Sequence, residues 1–278
     1  MLVLVGLIAA PLIYVGIEAG DFTVVGGIGF FLLAYTLVQY YLAGKIAIAA
    51  SHGIQIQKED NPRLWRIVEN LSISEGIPMP KVYVIPDDGL NAFAAGRDPE
   101  HAVVAFTNGI LNALDDNELE GVAAHEIAHI KNYDIRVSTF VFGMISAILI
   151  VADLAIRFGF SGMRNRNTAM FGVGFLAIGV ASLIIGYIIG PMLSAAVSRE
   201  REYLADASAV EATRYPDGIK SALQKLQANS RPMENQVRGL SHMYFSLPAA
   251  RGFFSNLYAS HPPLEKRIAR IEESGKGF

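Results

Sequence analysis

Four apolar runs divide this chain and limit what it can fold into. They lie at residues 1 to 20 (MLVLVGLIAAPLIYVGIEAG), 22 to 44 (FTVVGGIGFFLLAYTLVQYYLAG), roughly 137 to 156 and roughly 170 to 197. Each approaches the ~20 apolar residues that cross a bilayer as a helix. Only 18% of the 278 residues are charged and 52% are hydrophobic, whereas a soluble domain carries about a quarter charged residues. The deficit is concentrated in the runs, which favours membrane segments over four buried core helices. The first run has no basic leader and no small-residue cleavage site, and the second follows almost at once. The pair reads as a retained helical hairpin rather than a cleaved signal.

Charge and cysteine usage remove several classes of function. A net charge of −3 and the lack of any lysine or arginine cluster argue against a nucleic-acid partner. With no cysteine there is no disulfide framework, thiol nucleophile or thiolate metal site. Any zinc must then use His, Glu or Asp.

The polar stretches run from Ile46 to Arg136 and from Arg199 to Phe278. In the first, NPRLWRIVENLSISEG predicts a helix, and KVYVIP, NAFAAG and AVVAFT predict short strands. A helix opening at Asp115 or Asp116 then runs through His129, with acidic residues in its first turn where the helix dipole favours them. The second stretch reads as helical over 200 to 213, 217 to 228 and 263 to 273, broken by Pro216 and Pro232.

The chemistry starts at HEIAH, 125 to 129. Residues four apart lie on one face of a helix, so His125 and His129 offer two imidazoles to one cation. Glu126 sits about 100° round from His125, beside such a cation, in the position of a general base acting on a metal-held water. The alternative is a pair of surface histidines on an ordinary helix. A catalytic zinc takes a third protein ligand, and no further histidine follows before the third apolar run. SREREYLADASA, 198 to 209, offers Glu202 and Asp206, again four apart. Glu202 suits a ligand, and Asp206 suits a hydrogen bond to the free nitrogen of a ligand histidine. A merely charged interfacial helix is the competing reading, and for Glu200 the preferred one.

HEIAHIKNYD, then a membrane hairpin, then SREREYLAD, together resemble the HtpX-type membrane zinc metalloproteases, relatives of the CAAX prenyl endopeptidases. NAFAAG upstream and SHPPLEKRI near the end support the resemblance, which covers nearly the whole chain. It implies Zn2+ bound by His125, His129 and Glu202, with Asp206 behind a histidine. It also implies that Asn91, Ala92, Phe93, Ala94 and Gly96 form an edge strand that pairs with an extended substrate. His261 would polarise the scissile carbonyl, and Arg267 would hold that histidine or a ligand carboxylate. Asn132 and Asp134 also match, but they serve equally well to end a helix before the membrane.

The expected fold is a mainly α membrane protein, with four transmembrane helices and a zincin-like α+β catalytic domain split by a membrane hairpin. Its parts are a first hairpin (1–44), the first catalytic half (45–136), a second hairpin (137–198) and the second catalytic half (199–278). Lys45, Lys131, Arg136, Arg199 and Arg201 flank the spans and place the catalytic halves in the cytoplasm, although Arg157, Arg164 and Arg166 pull the other way. The resulting expectation is a zinc endopeptidase of the cell membrane that cleaves membrane or misfolded proteins in quality control. The alternatives are a prenyl-type processing protease of narrow specificity and a silent adaptor with a structural zinc. A transporter is disfavoured, since Asp153 is the only acidic residue within the third and fourth runs.

Overall fold

The computed structural model of the chain describes residues 22–164, 168–228 and 262–275. The first expected span and His261 lie outside them. The described chain is mainly helical with one small mixed sheet. It falls into two compact units whose boundaries are Tyr40/Tyr41, Thr139/Phe140 and Leu193/Ser194.

The second unit contains the sheet and its helices. The end of α1 (Phe22–Ala50) leads into β1 (Ile54–Gln55) and α2 (Pro62–Glu75). Asn61 opens α2, accepting from the Leu64 amide at 3.0 Å, with Pro62 in the first turn, and Gly76 closes it with φ 65°. These are the residues that supply such ends at least cost. The segments KVYVI, AFAA and VVAFT become β2 (Lys81–Ile85), β3 (Ala92–Ala95) and β4 (Val103–Thr107). The sheet order is β1-β2-β4-β3, with β2 parallel to β4 and the outer pairs antiparallel. β1, only two residues long, had no readable alternation in the sequence.

After a short α3 (Asn108–Ala113), Asp115 caps α4 (Asp116–Lys131). Asp115 and Glu118 form a reciprocal capping box at 3.0 and 2.8 Å, satisfying two amides that the helix start leaves unpaired. Glu118 is almost fully buried and also accepts from Ser221 at 2.7 Å and from Lys225 at 2.6 Å. Both partners lie on α8 (Pro216–Ala228), so the start of α4 is fastened to α8. Gly121 makes that approach possible: a Cβ there would meet the Ile219 backbone nitrogen at 2.6 Å. Arg63 fastens the other side, bonding Asp116 at 2.6 Å and the carbonyls of Leu111 and Leu114. Leu64, Val68, Phe106, Leu119, Val122, Ile127, Ile219 and Leu223 fill the core between these elements.

The first unit holds the apolar segments. α5 starts at Asp134 and runs unbroken through the third apolar run to Met163. α6 (Ala169–Ile184) leads through a π-helical turn (Ile185–Ile189) into α7 (Gly190–Thr213), which carries Glu202. α6 packs on α5 through small residues: a Cβ on Gly172 would meet the Gly159 carbonyl at 2.7 Å, and one on Gly179 would meet Ile156 at 2.6 Å. Among the described residues, one helix is long and apolar enough to cross a membrane, Ala169–Ile188, and only 22% of it is buried inside the protein. Gly29–Leu42 and Gly44–Ala50, bent by 76°, make a second if counted as one span. The chain ends, within the described residues, in α9 (Leu264–Gly275).

Candidate metal centre

α4 is buried along most of its length, and the HEIAH segment lies in its last turns, where His125 and Glu126 are sealed from solvent. α7 brings in Glu202 and Asp206, both 3% exposed, whereas Glu200 on the same helix faces outward. The burial follows the 100° step of the helix. α9 adds Arg267, whose side chain is fully buried.

Three donors converge. His125 Nε2 and His129 Nε2 are 3.1 Å apart, His129 Nε2 lies 3.4 Å from Glu202 Oε1, and His125 Nε2 lies 3.5 Å from Glu202 Oε2. A tetrahedral zinc held at about 2.0–2.2 Å keeps its ligand atoms roughly 3.3–3.5 Å apart, so the spacing fits one ion. The donor chemistry fits as well: two imidazole nitrogens and a carboxylate, with no thiolate. His125, His129 and Glu202 are thus a group able to hold a metal.

Each imidazole is held from behind. Asp206 Oδ1 lies 2.9 Å from His125 Nδ1, and Asp134 Oδ2 lies 3.0 Å from His129 Nδ1. A carboxylate accepting from Nδ1–H leaves the Nε2 lone pair facing the other donors. Arg267 grips Asp206 with both ends of its guanidinium, at 2.8 and 2.6 Å, and reaches Glu202 Oε2 at 3.7 Å. Arg267 therefore lies closest to Asp206 and also reaches the Glu202 carboxylate, one of its two expected partners; the other, His261, lies outside the described residues.

The electrostatics match a site built for a cation. Burial works against a charged His129, yet bonds to Asp134 and Glu202 and the nearby charges of Glu202 and Glu126 push its pKa up to about 10. Burial likewise works against the Asp206 anion, but Arg267 and His125 hold its pKa below the usual carboxylate range. Arg267, desolvated but ringed by Asp206, Glu202 and Glu126, is held charged more firmly than a free guanidinium.

The NAFAAG segment lies at the edge of the sheet order as β3, antiparallel to β4. Asn91, Ala92, Phe93, Ala94 and Ala95 are all buried, a feature that a period-two pattern of small residues does not announce. Gly96 closes the strand at φ 145°, where a Cβ would meet the His101 carbonyl at 2.7 Å. The Gly96 carbonyl accepts from Thr139 at 3.0 Å, and that of Arg97 accepts from Arg136 at 2.9 Å, so the start of α5 fixes the strand's end.

The sequence profile of "Peptidase family M48" matches residues 58–274 of this chain. A protein named "Protease HtpX homolog" from Tropheryma whipplei (strain Twist) is 48% identical over 269 residues, covering 95% of this chain and 91% of that protein. A protein of the same name from Lactobacillus acidophilus is 42% identical over 247 residues, covering 86% and 83%. The crystal structure of S. mikatae Ste24p superposes with a TM-score of 0.59 at 18% identity, over 98% of this chain and 64% of that one, a likeness of fold. This chain belongs to peptidase family M48 and is a metalloprotease of the HtpX type.

Proposed function

We propose that this metalloprotease is a zinc endopeptidase of the cell membrane that cleaves membrane or unfolded proteins at the cytoplasmic face, as a quality-control enzyme. The observation that carries the reading is the 3.1–3.5 Å triangle of His125, His129 and Glu202 donors beside a buried Glu126. His125, His129 and Glu202 would hold zinc there, and it would supply a Lewis acid for a carbonyl and for water. Glu126 takes the proton of the attacking water and returns it to the departing amine. Asp206 fixes the tautomer of His125, and Arg267 keeps Asp206 ionised and in place. His261, outside the described residues, is assigned to the carbonyl oxygen by the family's His-Pro element. Asn91 to Gly96 would hold the peptide extended, supported by the edge position of β3 in the sheet order.

The membrane part of the proposal keeps four spans, at 1–20, 22–44, 137–156 and 170–197, so that 137–198 forms a hairpin between the two catalytic halves. Support comes from the Ala169–Ile188 helix and from close α5–α6 packing through glycines, the usual device for helices meeting in lipid. Asp153 and Arg157, paired at 2.7 Å on α5, offset one another's charge. The test uses detergent-purified protein stripped with a chelator and assayed on casein, with zinc then added back. Digestion that stops on stripping and returns with zinc supports the reading. Digestion that continues without metal contradicts it.

A further inference from the structure

The turn between α4 and α5 contains a backbone feature that the metal triangle does not explain. Tyr133 adopts φ 60°, the left-handed region, which an aromatic side chain enters only at a cost. Were α4 to continue as a regular helix, residue 134 would point roughly 140° away from residue 129. The left-handed step at Tyr133 breaks that regularity and returns the Asp134 carboxylate to His129 Nδ1, at 3.0 Å. The same carboxylate presents its other oxygen to Arg201 Nε at 3.5 Å. Arg201 is the residue next to Glu202 on α7. Asp134 is 9% exposed, and Arg136 lies over the Tyr133 ring at 4.7 Å, bracing the turn.

We infer that Asp134 is the positioning residue of His129, and that Arg201 clasps it to the helix carrying Glu202. The inference rests on the zinc reading above. Its physical content is that one carboxylate, on the first residue of α5, sets the ring orientation of one ligand and ties it to the segment of α7 that supplies another. His125 has Asp206 and Arg267 in the matching place, so each histidine is backed by a carboxylate–arginine pair. The Asp134–Arg201 pair is the looser and more exposed of the two, with side chains 12% and 26% exposed. The two pairs therefore differ in how tightly they hold their histidine.

The experiment measures metal affinity by competition against a chelator, using zinc alone as the probe, together with the visible spectrum of the cobalt-loaded protein. Asp134→Asn and Asp134→Ala should weaken zinc by about 10 to 100-fold, the cost of losing a ligand's hydrogen-bond partner. The cobalt spectrum should shift, a change that a purely structural role would not produce. Arg201→Met should weaken zinc by roughly two- to fivefold, the range for a partly exposed ion pair. Added to Asp134→Ala it should do nothing more, because the Arg201 side chain acts on the site through that carboxylate. Tyr133→Gly should keep zinc affinity, since glycine takes a left-handed φ freely. Tyr133→Val should weaken it without touching a carboxylate. Wild-type zinc affinity and cobalt spectrum in both Asp134 variants would overturn the role of Asp134, and additive effects of Arg201→Met and Asp134→Ala would overturn the clasp. Glu202→Ala in the same series separates the two readings. If it retains zinc, the metal assignment itself fails; if it loses zinc while Asp134→Ala keeps it, only the inference fails.

Discussion

Arg267 and Asp206 meet in a two-point bond, 2.8 Å from Nε and 2.6 Å from the terminal nitrogen, with both side chains sealed from water. A buried pair of this kind holds geometry more than it adds stability, but removing one member strands a charge in the interior. Arg267→Ala should therefore destabilise the fold by about 3–5 kcal/mol. Arg267→Lys should recover only part of the loss, because an ammonium cannot make the forked contact. Thermal unfolding in detergent measures both variants. An Arg267→Ala protein that unfolds like the wild type would refute the dependence.

The three carboxylates of the 200–206 segment should separate cleanly in a zinc assay. Glu202→Ala should lose most bound zinc and all casein digestion. Asp206→Ala should bind zinc about 10 to 100-fold more weakly. Glu200→Ala, which changes one outward-facing charge, should match the wild type. An Asp206 variant without zinc beside a Glu202 variant that keeps it would reverse the assignment.

Acid should weaken the fold partly through Glu118. Burial alone would raise its pKa, but Lys225, the Asp115 amide and Ser221 bring it below the usual glutamate value of 4.5. A lowered folded-state pKa contributes stability that is complete above about pH 4.5 and is lost as pH falls through the folded value. Glu118→Gln should then cost about 1–3 kcal/mol at neutral pH, the range for losing hydrogen bonds to a buried charged group. The gap from the wild type should close as the pH drops below 4.5. Denaturant unfolding at a series of pH values reads the gap directly, and a gap constant across that range would contradict the assignment.

How far the sequence revealed the site depended on whether a helix stayed regular. The i, i+4 spacing of His125 and His129, and of Glu202 and Asp206, is readable because α4 and α7 are regular helices through those residues. The resemblance singled out Asp134 without a partner, and its contact with His129 depends on one left-handed residue, Tyr133, that no periodicity signals. Arg201 is hidden for the same reason: its partner arrives from a different element. The strands were readable as apolar runs, but the full burial of β3 was not. Alternation says which face a side chain takes, not what packs over both. The second, third and fourth apolar runs coincide with helices, and the first lies outside the described residues. They did not show that α7 continues from the fourth run into the Glu202 segment without a break.

The proposed sidedness is open to direct labelling. Single cysteines at His52, Arg164 and Ser230, introduced into this cysteine-free chain, can be challenged with an impermeant reagent in intact cells. The positive-inside pattern predicts labelling at 164 alone. Protection at all three would mean that the hairpin enters and returns without crossing.

The most direct test of the account is Glu126→Gln. Glu126 is buried beside the donor triangle and is not one of the three donors. The variant should carry wild-type zinc by elemental analysis and have the wild-type fold, while casein digestion falls to background. A Glu126→Gln protein that arrives without zinc, or that still digests casein, would contradict the role of Glu126 as the base.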